Sequence, residues 1–178
     1  MTPLGMVFGG LLLVVLDFRI DWFDVLPDVI GWLMVIAGLN LVRGRHPGLL
    51  GAFIASCLGL VSSLVQLLPD GELTPLVAVG ESVAQTGVVF GVCTALMTLG
   101  PEPRIRSQAG LVRWLDLGLA LIGVVLAPLL TGAPTLSFAA ATGPAVGVFL
   151  LLVVAAIVVF VWFMLLVWAS REAADLQR

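Results

Sequence analysis

From Ala145 to Trp168 the chain runs for 24 residues without one charged side chain. At about 1.5 Å per residue a helix of that length spans about 36 Å, more than a hydrocarbon core about 30 Å thick. It is apolar nearly all round, so it has no face suited to water. Across the whole chain 61% of residues are hydrophobic and 11% charged, against roughly 45–50% and about 25% in soluble domains. Lipid is therefore the expected solvent for most of the 178 residues, which read as one integral membrane domain.

Charge, proline and glycine interrupt the apolar sequence at Asp17–Asp28, Arg43–Gly48, Pro69–Pro75, Gly100–Gln108 and Thr131–Gly143. Six spans are predicted between these breaks: Pro3–Ile20, Pro27–Val42, Leu49–Leu68, Leu76–Leu99, Leu111–Leu130 and Ala145–Trp168. The runs are continuous and do not alternate, which favours an all-α polytopic helical bundle with short loops over a barrel. The first run lacks a basic leader and a small-residue cleavage site and leads directly to Asp17 and Arg19, so it reads as a retained helix. Small residues recur at four-residue steps at Gly5 and Gly9, at Gly51, Ala55, Gly59 and Ser63, at Gly87, Gly91 and Ala95, and at Gly143 and Gly147. These are the expected helix contacts, because lipid supplies no hydrophobic drive and backbones must approach closely instead. The sixth helix is expected to have the largest lipid-facing surface, and Asn40 to make an interhelical contact.

There is no lysine, and seven of the eight arginines fall in or beside the second and fourth connections or after the last span. Basic residues near span ends favour the cytoplasmic side. Both termini are thus expected in the cytoplasm, with the protein in the plasma membrane. The scattered arginines form no basic patch, so nucleic acid is not an expected partner. Membrane lipid, a second copy or another membrane protein is. Cys57 and Cys93 lie inside spans without a ligand cluster, which argues against a zinc or redox site; no cofactor is expected, and His46 is expected to have no chemical role.

The outward side receives the sequence LDFRIDWFDVLPDVIGW, in which Asp17, Asp21, Asp24 and Asp28 surround Arg19. Pro27 fits the first turn of a helix, where its missing N–H has no intrahelical partner to lose. Asp24 then reads as an N-cap and Asp28 as a first-turn carboxylate favoured by the helix dipole. Counting outward from Arg43 at ~1.5 Å per residue puts Asp28 about 22 Å from the inner edge, several ångströms below the outer surface. Carboxylates at that depth face protein or a wet cavity and need a partner, for which Arg19 is nearest. Phe18, Trp22, Phe23 and Trp32 around them have the character of an interfacial belt. Glu81 and Gln85 share a helix face and, with Ser82, Thr86 and Gln66, are expected to extend the acidic turn into a shallow polar pocket. Arg113 and Asp116, three positions apart, are expected to pair at the inner membrane edge.

Asp17, Arg19, Asp24, Leu26, Pro27, Asp28 and Gly31 make the pattern D-x-R-x4-D-x-L-P-D-x2-G. It resembles a motif of an uncharacterised family of small multi-pass membrane proteins of bacteria. The resemblance covers about 30 residues and implies membrane class and a shared outer turn, with no activity attached.

Three functions fit these features. A non-catalytic scaffold that binds a partner or lipid requires least. A cation- or proton-coupled transporter, or half of a dimeric one, would use Asp28, Glu81 and Arg19. A metal-dependent enzyme acting on lipid would need carboxylate oxygens around a divalent cation, but no nucleophile and base accompany the turn. The topology is testable. In a chain with Cys57 and Cys93 replaced by alanine, Asp21→Cys should react with an impermeant thiol reagent added to intact cells. Arg104→Cys should react only after the cells are opened.

Overall fold

The computed structural model describes residues 2–15, 26–66, 74–131 and 144–172. Among them the chain is all-helical: α1 (Pro3–Val15), α2 (Leu26–Val42), α3 (Pro47–Val65), α4 (Thr74–Leu99), α5 (Pro103–Thr131) and α6 (Pro144–Ser170). All six have proline as their first or second residue. That position tolerates the missing N–H and is pre-set in φ, so proline both ends each connection and starts the next helix. Helices α3 to α6 contain stretches long and apolar enough to cross a membrane; α1 and α2, of 13 and 17 residues, are shorter.

Two helix starts differ from the sequence reading. His46 caps α3, its extended backbone turning Nδ1 to accept a hydrogen bond from the Gly48 N–H at 3.0 Å. The histidine thus has a structural task. Helix α5 begins at Pro103, eight residues before the predicted Leu111. Arg104 and Arg106 looked like a break, yet charge on an exposed face does not interrupt a helix. Ile105, Ala109 and Val112 bury the opposite face, at the spacing of a helical stripe. Arg106 Nε donates to the Gly100 carbonyl at 2.8 Å, satisfying an acceptor at the end of α4.

Consecutive helices pack on one another and α6 returns to α1, so the six close into a ring, with α4 also touching α6. Tilted Phe8 and Trp168 rings, 4.9 Å apart, mark the closure. Short turns after α2 and α4 gather Arg43, Arg45, Arg104 and Arg106 at one end of the bundle, with Arg171 after α6. The opposite end carries the starts of α2, α4 and α6. Core side chains include Leu4, Val7 and Leu11 from α1, Val35 and Leu39 from α2, Val88 and Val92 from α4, and Phe163 and Val167 from α6.

Two glycine crossings set the spacing. A Cβ on Gly10 would lie 2.5 Å from the Gly31 carbonyl oxygen, so α1 and α2 touch backbone to backbone. The sequence placed this contact at Gly5 and Gly9; it falls one position on, because Gly10 shares the buried face of Leu11 and Val7. A Cβ on Gly48 would lie 2.5 Å from the Gly91 carbonyl oxygen, and α3 and α4 meet there and at Ala55 with Gly87. Gly51 and Gly147 face open space and make no such contact. Asn40 is exposed on the bundle exterior rather than held between helices.

The outer surface is apolar, with Ile54, Val125, Leu151, Val154 and Ile157 among many large exposed side chains. That fits a bundle surrounded by lipid. In their most apolar 18-residue stretches 11% of α5 is buried against 28% of α6, while α6 carries many of the large exposed apolar side chains, Leu151, Val154, Ile157 and Leu165 among them. Near its start α5 packs through the stripe of Ile105, Ala109 and Val112, whereas α6 inserts Phe163, Met164, Leu166 and Val167. Gly10→Leu should destabilise the bundle by about 1–3 kcal/mol or more, since the new side chain meets backbone. Gly51→Leu, at an open position, should stay within about 0.5 kcal/mol in the same detergent unfolding measurement.

Candidate functional site

The carboxylate-bearing end contains a cavity of about 340 Å³ lined by Val14, Val15, Asp28, Trp32, Glu81 and Gln85. Three helices build it. Asp28 lies in the first turn of α2, after Leu26 and Pro27, where a carboxylate is favoured by the helix dipole. Trp32 follows one turn later on the same face. Glu81 and Gln85, one turn apart on α4, close the opposite side, and the valines at the end of α1 form an apolar wall. Asp28 and Glu81, expected from the sequence to share a polar pocket, line one space.

From α3, the one proton of the Ser63 hydroxyl is shared between two acceptors, the nearer Gly59 carbonyl at 3.0 Å and Glu81 Oε1 at 3.4 Å. The hydroxyl orients the carboxylate from behind. Both Asp28 and Glu81 have interactions within the fold.

Trp32 departs from the interfacial role expected of it. It is 1% exposed, and a Cβ on Gly59 would lie 2.5 Å from its Cε2 and Cζ2. Only glycine at that step of α3 lets the indole enter the bundle. Its Nε1–H has no acceptor among the described residues, although Glu81 and Gln85 line the same cavity. The available signal was spacing: a tryptophan four residues after Asp28, inside an otherwise apolar helix. Ser63 was equally legible as the hydroxyl ending the Gly51, Ala55, Gly59 stripe.

Other expected members separate. Asp17, Arg19, Asp21 and Asp24 lie outside the described residues, as do Phe18, Trp22 and Phe23. Gln66 is exposed just beyond α3. Ser82 and Thr86 point to the other side of α4, where with Phe90, Leu117 and Leu121 they line an apolar groove of about 390 Å³ against α5. A helix turns 100° per residue, so adjacent polar residues cannot all face one pocket.

Arg113 and Asp116 do not form the expected ion pair; each turns to α4 instead. Arg113 Nη1 donates to Thr94 Oγ1 at 3.3 Å, and its guanidinium lies 4.9 Å from the Phe90 ring centre and 5.0 Å from that of Trp114. The Asp116 carboxyl lies beside the Thr86 hydroxyl, near the middle of the 26-residue α4. The early start of α5 explains this, because Asp116 is then almost four turns into its helix rather than near its beginning.

Among the described residues no three His, Cys, Asp or Glu side chains gather as a metal site. Comparison with protein-family models, with curated proteins and with solved structures finds no match to the chain. The site is defined by its geometry alone. A double-mutant cycle between Ser63→Ala and Glu81→Ala should give a coupling of about 0.6 kcal/mol, below about 2, in detergent unfolding. Additive effects would show that the 3.4 Å contact does not hold the carboxylate.

Proposed function

We propose that this chain is a non-catalytic membrane protein that binds a small cationic ligand in the cavity between α1, α2 and α4. The single observation behind this reading is that Asp28 and Glu81, from different helices, line one 340 Å³ space with Gln85 and Trp32. A pure scaffold has no need of it, since helix contacts bury small residues and leave carboxylates at the rim. Ionisable groups inside a bundle are costly and mark ligand or ion sites. A cavity of this size lies at the lower end of small-molecule pockets, about 300–1,000 Å³.

The proposed topology has six spans in the bacterial plasma membrane, both termini cytoplasmic and the cavity outward. Its support is the gathering of Arg43, Arg45, Arg104, Arg106 and Arg171 at one bundle end. Helices α1 and α2, though short, run beside the long helices through Phe8 with Trp168 and Trp32 with Gly59. Membrane lipid, and a second copy packed in the bilayer, are the proposed surroundings.

Purified full-length protein in non-ionic detergent should melt at higher temperature as ethylammonium is added, saturably. Asp28→Asn and Glu81→Gln should each raise the apparent dissociation constant at least about tenfold, or about 1.4 kcal/mol. Identical melting with ethylammonium, potassium and calcium at equal ionic strength would return the protein to a scaffold role.

A second reading, cation- or proton-coupled transport, is favoured by one feature. On the α5 side of α4, apart from the cavity, a second set of polar groups runs inward from Thr86 beside Asp116 to Thr94 beside Arg113. In that case Asp28→Asn and Glu81→Gln should each abolish pH-dependent uptake of the cation into vesicles. Binding without uptake would confine the protein to the first reading.

A further inference from the structure

Arg113 stands on a largely apolar helix without an ion-pair partner. No carboxylate among the described residues pairs with it, and Asp116, three positions on, turns to Thr86. The guanidinium is held instead against the Phe90 and Trp114 rings, 4.9 and 5.0 Å from their centres. Nη1 donates to Thr94 Oγ1 at 3.3 Å and Nε is buried without an acceptor, which leaves Nη2 at the surface of the bundle. An arginine near the end of a membrane helix reaches for the head-group layer, and the anion that layer offers is phosphate. The level of Arg113 in the bundle suits this. A Cβ on Gly48, in the first turn of α3, would lie 3.2 Å from Thr94 Cβ, so Arg113 lies level with the start of α3, just after the turn that carries Arg43 and Arg45. Trp114, 60% exposed, fits the same interface.

Phe90 joins this cation to the apolar groove of about 390 Å³ between α4 and α5. From Phe90 and Leu117, nearest Arg113, the groove follows both helices to Val83 and Val124, a run of about 10 Å at ~1.5 Å per residue. Val83, Leu121 and Val124 are exposed, so the groove opens to the lipid around the bundle. A cation at the membrane edge thus continues into an apolar channel directed toward the hydrocarbon. That is the outline of a phospholipid.

We propose that the groove holds one chain of an anionic phospholipid whose phosphate accepts a hydrogen bond from Arg113 Nη2. The planar fork of arginine matches a phosphate, and the two rings hold it in place before the lipid arrives. Arg104 and Arg106, exposed in the first turn of α5, add positive charge at the same end and favour net-negative over zwitterionic lipid. The site lies on the other side of α4 from Asp28 and Glu81 and is independent of the cation-binding reading; it requires only that the bundle sit in a bilayer.

Full-length protein in non-ionic detergent should melt at higher temperature with dioleoyl phosphatidylglycerol. A given rise should need about fivefold less of it than of dioleoyl phosphatidylcholine, the preference expected of one arginine near a membrane surface. Inorganic phosphate should have no effect, because it has no chain to fill the groove. Arg113→Gln should bring phosphatidylglycerol to the level of phosphatidylcholine. Ala120→Phe, which fills the groove, should weaken both, and Val154→Phe on the exposed face of α6 should weaken neither. In the unaltered chain labelled with ¹⁵N at its indoles, phosphatidylglycerol should move the Trp114 Nε1–H resonance more than phosphatidylcholine does, which keeps the test independent of how the variants fold. Equal effects of the two lipids, or a preference that survives Arg113→Gln with the Trp114 resonance unmoved, overturns the proposal. So does a response to inorganic phosphate alone, which would make the ligand a soluble anion, or a dimer that Ala120→Phe disrupts without any lipid response, which would give the groove to a second copy.

Discussion

The fold depends on backbones approaching closely at two crossings, Gly10 with Gly31 and Gly48 with Gly91. In a lipid surrounding, apolar side chains gain little by leaving solvent for one another, so helices associate through close packing and polar contacts. At these crossings no side chain stands between the helices, and the remaining residues interlock around them. The distance between α1 and α2 and that between α3 and α4 are thereby fixed. The space left between the two pairs at the carboxylate end is the cavity.

Gly59 has a related part between those pairs. It makes room on α3 for the indole of Trp32, which bridges from α2 and brings that helix's first turn toward α4. Asp28 is drawn in with it. Ser63, one turn beyond Gly59, then reaches Glu81 from the same helix. A stripe of small residues, read in the sequence as packing alone, thus places three side chains of the site.

The polar residues of α4 divide between two neighbours. Glu81 and Gln85 face the cavity, while Ser82 and Thr86 face α5, where Asp116 lies beside Thr86. Asp116 is a carboxylate well inside a helix long enough to span a membrane, and Arg113 is held by Thr94 and two aromatic rings rather than by that carboxylate. Each charge is accommodated by the helix opposite. This joins α4 and α5 and gives α5 specific contacts despite its low burial.

The six helices, their approximate ends and the arginine-bearing turns were legible in the sequence, because apolar run length and proline at helix starts are local properties. So was the face shared by Glu81 and Gln85, which follows from helical periodicity. The start of α5 was not, because charge alone cannot distinguish a loop from the exposed face of a helix; the buried stripe of Ile105, Ala109 and Val112 decides it. The sequence suggested that Glu81 and Gln85 extend the acidic turn, but only the tertiary structure sets Asp28 and Glu81, 53 positions apart, on one space, separates Ser82 and Thr86 from them, and turns Trp32 inward. Those outcomes depend on how far each helix rotates against its neighbour, and that rotation is set by which glycines meet across the interface, a relation between distant segments that no local pattern contains.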